Sequence, residues 1–66
     1  MIQFQSTKES GNIFWILGAA SAELKKQRRI TDFNVMRDRV FEASSYDDAL
    51  AIIREYVELV DLDGKY

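Results

Sequence analysis

The chain contains no cysteine, no histidine and no proline, and only three of its 66 residues are glycine. Without cysteine it forms no disulfide, and without cysteine and histidine it lacks the ligands of the usual zinc sites. Acid–base or nucleophilic catalysis would depend on carboxylates, serine, lysine or tyrosine alone. We therefore expect no cofactor, no metal and no enzymatic activity. Small domains often need disulfides, a metal or a partner chain, so a partner chain is the support left.

The composition indicates one small folded domain over residues 1–66. Apolar residues make up 47% of the chain and charged residues 30%, which excludes a disordered tail and a membrane protein. The longest apolar run has about ten residues, whereas a bilayer-spanning helix needs about 20. The N-terminal segment does not resemble a secretory signal, and the absence of cysteine fits a reducing compartment. We expect a cytoplasmic protein that does not bind membranes.

Charge is distributed unevenly along the chain, although the net charge is only −2. Seven cations and four anions lie between Lys8 and Arg39, which gives net +3. Two cations and seven anions lie between Val40 and Tyr66, which gives net −5. The favoured interpretation is that the two halves complement each other within one domain. The alternative is a basic surface that meets an acidic partner.

The N-terminal residues predict a short strand and a helix. Ile2 and Phe4 alternate with glutamines, which is a strand pattern, and residues 8–12 are turn formers. The helix begins at residue 11 or 12, is capped by Ser10 or Asn12, and ends near Gln27. Four cations crowd its end, where the helix dipole favours them: Lys25, Lys26, Arg28 and Arg29.

Two stripes run along this first helix when its residues are placed at 100° steps. The first is an ordinary core face: Ile13, Ile16, Leu17, Ala20 and Leu24. The second lies on roughly the opposite side: Trp15, Gly18, Ala19 and Ala22. Gly18 costs about 1 kcal/mol relative to alanine inside a helix, so close approach of another backbone is the expected compensation. We predict that this second stripe packs against a second chain, with the N-terminal strand as the intrachain alternative.

Two further helices follow. The second helix is capped by Thr31 or Asp32 and runs to Ala43. Its core face is lined by Phe33, Met36 and Val40, and Phe41 sits beside them at core spacing. Ser45 and Asp48 resemble a capping box that starts the last helix. Its end is placed between Tyr56 and Val60. Residues 57–62 are either helix or strand, and in the second case residues 59–62 run extended beside the N-terminal strand.

These elements predict a mainly helical α+β fold with a short N-terminal strand, three helices and, as one option, a short C-terminal strand. The alternative is an all-α three-helix bundle. No motif for chemistry stands out. Asp47 and Asp48 are explained by capping, and the Asp-x-Asp-Gly fragment at residues 61–64 lacks the later acidic ligands that a calcium loop needs.

The residues resemble a group of small uncharacterised proteins from phages and prophages. That group has a Gly-Asn, an apolar Phe-x-Ile-Leu-Gly run, a basic helix end, and later a Tyr-Asp and a Tyr-Val-acidic ending. The matching residues are Gly11, Asn12, Phe14, Ile16, Leu17, Gly18, Tyr46, Asp47, Leu50, Tyr56, Val57 and Glu58. This chain has Ser45 where the group commonly has glycine. The resemblance implies phage origin and action inside a bacterial host, but it implies no activity.

Three functions follow as expectations. The leading one is a non-enzymatic, homo-oligomeric interaction protein that acts on a host protein, with Trp15, Gly18, Ala19 and Ala22 as its predicted interaction residues. The second is a binder or sponge for a small nucleotide-like anion at an intersubunit site formed by Arg28, Arg29 or Arg37. The third is a nucleic-acid-binding accessory protein. Nucleic acid is the least expected partner, because the chain is acidic and anions are interleaved with its cations.

Overall fold

A computed structural model describes residues 1–66 and shows the predicted mainly helical α+β fold. Three helices are combined with a two-stranded sheet made from the two ends of the chain, so the all-α alternative is wrong. In chain order the elements are strand β1 (Ile2–Phe4), a 3-10 turn (Glu9–Gly11), helices α1 (Ile13–Lys26), α2 (Ile30–Phe41) and α3 (Tyr46–Arg54), and strand β2 (Leu59–Asp61).

The two strands pair in parallel and bring the chain ends together. Ile2 lies opposite Leu59, and Phe4 lies opposite Asp61. The extended alternative for the C-terminal segment is therefore confirmed. Helix α3 ends at Arg54, earlier than the predicted limit of Tyr56 to Val60. The acidic residues beyond Arg54 would oppose the helix dipole, and pairing with β1 gives that backbone other hydrogen-bond partners.

All three helices bury the faces that their periodicity marks. Helix α1 buries the predicted stripe, with Ile13 packed at its edge. Helix α2 contributes Met36 and Val40, and α3 contributes Ala49, Leu50 and Ile53. The remaining core side chains are Ile2, Phe4, Val57 and Leu59. The small sheet thus closes the end of a core that the helices form.

Side-chain caps fix two helix starts as predicted. The Asn12 side chain accepts a hydrogen bond from the Phe14 amide at 2.8 Å, so Asn12 and not Ser10 caps α1. The Ser45 hydroxyl accepts from the Asp48 amide at 3.1 Å and caps α3. Each bond satisfies one of the amides that a helix start leaves unpaired.

The α1–α2 junction differs from the prediction. The chain leaves α1 through a left-handed residue, Arg28, whose φ is 59°. The Arg28 amide donates to the Lys25 carbonyl at 3.0 Å, and the Arg29 amide donates to the Leu24 carbonyl at 2.7 Å. This closure lets α2 begin at Ile30 with Arg29 at its cap position and no side-chain cap, so the prediction of Thr31 or Asp32 is wrong.

Replacing Arg28 with glycine is expected to stabilise the domain by roughly 1 kcal/mol. A left-handed conformation costs an ordinary residue about 1–2 kcal/mol, and glycine adopts it freely although it loses more backbone entropy on folding. Urea denaturation followed by far-UV circular dichroism measures the change. Arg28→Ala is the matched control, since it removes the same side chain but keeps the Cβ. Equal midpoints for both variants would contradict the expectation.

Candidate functional site

The face of α1 that points away from the core carries no other element. Trp15 is 45% exposed, and Ala22 is exposed two turns later. A Cβ built at Gly18 meets no atom within 4 Å. Only Ala19, of the four predicted residues, is half-buried and packs at the core edge. The intrachain alternative is wrong, because β1 pairs with β2 and does not cover this face.

Two phenylalanines extend this exposed face toward α2. Phe14 is 69% exposed and Phe41 is 61% exposed, and their ring centroids are 6.5 Å apart with a tilt of 54°. The prediction that Phe41 lies at core spacing is wrong. It follows Val40 by one residue, and the 100° step carries it from the core face to the surface. We call Phe14, Trp15, Gly18, Ala22 and Phe41 the aromatic face.

An open groove of about 370 Å³ lies at the end of the aromatic face. It is formed where the start of α1 meets the end of α2 and the start of α3. Seven of the nine residues that line it are hydrophobic. The nine are Ile13, Phe14, Val40, Phe41, Ala43, Ser44, Ser45, Tyr46 and Ala49. The groove can therefore receive an apolar side chain from another molecule.

Tyr46, which lines the groove, contacts two distant parts of the chain. Its hydroxyl donates a hydrogen bond to the Gly11 carbonyl, and its ring meets Tyr66 edge-on at 5.0 Å between centroids. Partial burial raises the pKa of Tyr46, and the negative charge of Asp61 acts in the same direction. The hydroxyl therefore stays protonated and able to donate near neutral pH. No sequence signal indicates this bond, because its partners are 35 residues apart.

The two ends of the aromatic face carry opposite charge. Glu42, Asp47 and Asp48 lie between residues of the chain that line the groove, and residues 40–49 include no cation. At the other end of α1, Lys25, Lys26 and Arg28 are exposed. None of these six residues takes part in the three ion pairs of the chain. The exposed face is thus apolar in the middle, acidic at one end and basic at the other.

The three arginines of the anion hypothesis are not gathered within one chain. Arg29 pairs with Asp32 at 2.8 Å, and Arg37 pairs with Asp38 at 3.2 Å and lies over the Phe33 ring. Eight residues separate Arg29 from Arg37, or about 12 Å along a helix axis. The intersubunit anion site stays a prediction.

Two polar contacts that the sequence did not reveal join distant segments. Arg39 forms a two-bond pair with Glu55, at 2.8 and 2.9 Å, which lowers the pKa of Glu55. Asp61 and Asp63 accept hydrogen bonds from Ser6 and Thr7. No group of three or more aspartates and glutamates is arranged to hold a metal ion. Both contacts connect elements of the fold.

No protein-family model matches this chain, and comparisons with curated proteins and with solved structures found no match. None of the helices combines the length and the apolar character that crossing a bilayer requires. The features of the molecule that bear on function are the aromatic face, the groove and the charges at their ends.

Proposed function

We propose that this chain is a non-enzymatic interaction protein of phage type, which self-associates and acts on a host protein in the bacterial cytoplasm. The observation that supports it is the aromatic face, where three aromatic side chains are between 45% and 69% exposed. The phage setting is supported only by the resemblance carried by residues 11–59.

Leaving such an apolar surface in water is unfavourable. Burial of apolar area contributes about 25 cal/mol per Å² of stabilising free energy. Three exposed aromatic side chains therefore leave several kcal/mol of this stabilisation unrealised until a partner covers them. Contiguous apolar patches on small proteins mark interaction sites, and tryptophan and phenylalanine are enriched at the centres of interfaces. The adjoining groove offers a pocket for an anchor side chain, as binding hot spots require.

The other two hypotheses receive less support from the structure. An anion or a nucleic acid needs several unpaired cations on one surface. Arg29 and Arg37 already have carboxylate partners, and the groove is bordered by acidic residues. Binding of a protein through apolar contacts is therefore the function that the geometry supports best.

A two-variant capture experiment tests this function. The double variant Phe14→Ser/Phe41→Ser removes the aromatic pair without touching the core. Val35→Ser is the matched control, since Val35 is also exposed on α2 and lies about 120° around the helix from Phe41. Tagged wild type is used to capture bacterial proteins, and a captured protein is then purified and titrated calorimetrically with each variant.

We expect the double variant to bind the purified host protein at least about 100-fold more weakly than wild type, as loss of a hot-spot pair predicts. The Val35→Ser control should bind like wild type. Equal affinity of the double variant and wild type would contradict the role of the aromatic face. Hydrolysis of a nucleotide or ester by the pure chain, lost on mutation of Asp47 or Asp48 without unfolding, would contradict the absence of enzymatic activity.

A further inference from the structure

We infer that the aromatic face is covered by a second copy of this chain, with the two α1 helices antiparallel about a two-fold axis near Gly18. The inference rests on the proposed function, because it assumes that the aromatic face is an interaction surface. It adds the identity of one occupant, the orientation of that occupant, and the residues of the second copy that reach the groove.

Charge determines the orientation. The Phe14–Phe41 ring contact and the lining of the groove place Phe41 and residues 43–46 beside the start of α1, and Glu42, Asp47 and Asp48 adjoin these residues in the chain. The acidic end of the exposed face therefore lies at the start of α1 and the basic end lies at its C-terminus. An antiparallel pair sets the basic end of each chain against the acidic end of the other, twice per dimer. A parallel pair would set like charges together, which opposes association.

Shape agrees with the same arrangement. With the axis at Gly18, each position on one α1 faces the position equally far from Gly18 on the other. Phe14 then lies over Ala22 of the second copy, Trp15 lies over Ser21, and Gly18 lies over Gly18, where no Cβ separates the backbones. Large side chains thus meet small ones in both directions. Such a surface is self-complementary, as a closed two-fold dimer requires.

The rise of a helix shows that the basic end reaches the groove. Lys25 and Lys26 lie seven and eight residues beyond Gly18, or about 11–12 Å along the axis. Ile13, the first residue of α1, lies five residues or about 8 Å on the other side of the axis. We therefore expect the cations of the second copy to lie just beyond the start of α1, on the side of the segments that carry Glu42 and Asp47. In the dimer, each groove is bordered by residues from both chains.

A charge-exchange experiment tests the orientation. The basic-end variant is Lys25→Glu/Lys26→Glu, and the acidic-end variant is Glu42→Lys/Asp47→Lys. Each variant alone places like charges at both contacts of the homodimer. An equal mixture forms a heterodimer in which one contact has the exchanged pair and the other has the original pair. Glu58→Lys is the control, since this exposed residue lies outside the face.

Sedimentation at low salt, with helicity checked by circular dichroism, should give at least about tenfold weaker self-association for each variant. The mixture should regain the wild-type mass, and the Glu58→Lys control should associate like wild type. A wild-type chain that stays monomeric at high micromolar concentration would overturn the inference. It would also be overturned if both variants associated normally, or if the mixture failed to recover.

Cysteine cross-linking gives an independent check, because every introduced thiol is the only one in the chain. Gly18→Cys should form a disulfide-linked dimer under mild oxidation. Lys26→Cys should not, since its two copies would lie about 24 Å apart along the axis. Equal cross-linking at both positions would indicate a parallel pair and overturn the inference. If the wild-type chain is monomeric yet binds a host protein through the aromatic face, this inference and the self-association in the proposed function fail, whereas the binding of a host protein stands.

Discussion

Replacing Gly11 with alanine is expected to destabilise the domain by at least about 3 kcal/mol, which is enough to unfold much of a domain this small. A Cβ at this position would lie 2.5 Å from the Ser6 carbonyl oxygen and 2.7 Å from that of Gln5. Both are backbone atoms, so they cannot move aside as the end of a flexible side chain does. Relief would require the segment after β1 to shift away from the 3-10 turn.

Urea denaturation of Gly11→Ala at low micromolar concentration measures this effect. Gly18→Ala is the matched control, since nothing lies within 4 Å of a Cβ there. The control should gain up to about 1 kcal/mol from helix propensity. The two substitutions are chemically identical and are expected to change stability in opposite directions. An unchanged midpoint for Gly11→Ala would show that the turn yields without cost.

The features that the sequence predicted correctly are local or periodic. Asn12 and Ser45 act on amides two or three residues away, so their caps depend only on neighbouring residues. The buried stripe of α1 depends on a 3.6-residue repeat that is visible in the sequence. The short strand at Ile2–Phe4 depends on alternation. Each signal is complete within one segment and needs no knowledge of the rest of the chain.

The features that the sequence did not predict depend on which segments meet. The Gly11 carbonyl lies beside Tyr46, and Arg39 lies beside Glu55, only because the helices pack as they do. The segment beyond Arg54 forms a strand and not a helix because it pairs with β1, which lies at the other end of the chain. The small residues of the α1 face were predicted from periodicity, because they lie within one helix. The groove and the exposure of Phe41 were not predicted, because they depend on how the helices pack.

Contacts of Tyr46 connect the groove to the end of the chain that carries the terminal sheet. Its hydroxyl bond fixes the start of α3 to the 3-10 turn, and its ring contact with Tyr66 reaches the C-terminal segment. Loss of the terminal sheet would therefore loosen one wall of the groove. Asp61 is one of the residues that join the two ends of the chain beside this sheet.

Asp61 is the centre of the hydrogen bonds that close the chain ends. It accepts from the amide and hydroxyl of Ser6 and from the amides of Asp63, Lys65 and Tyr66. Burial alone would raise the pKa of Asp61, but these hydrogen bonds outweigh it and hold the pKa well below its ordinary value. The hydrogen bonds from Thr7 likewise lower the pKa of Asp63.

Because the pKa of Asp61 is lower in the folded chain than in the unfolded chain, its ionised form stabilises the fold. That contribution is complete above the unfolded pKa, near pH 4, and is lost as the pH falls toward the depressed folded value. We therefore expect the melting temperature of the wild type to drop between about pH 6 and about pH 2.5. Asp61→Asn should melt lower than wild type at the higher pH and should lose less on acidification.

Glu58→Gln is the matched control, since it removes one carboxylate that is exposed and makes no side-chain hydrogen bond. It should keep both the wild-type melting temperature near neutral pH and the wild-type loss on acidification. Asp61→Asn should retain a small acid response, because the pKa values of Asp63 and Glu55 are also lowered. If Asp61→Asn melted like wild type at both pH values, the carboxylate would not stabilise the closure of the chain ends, and the sheet would be held by its other contacts, among them backbone pairing and the burial of Ile2, Phe4 and Leu59.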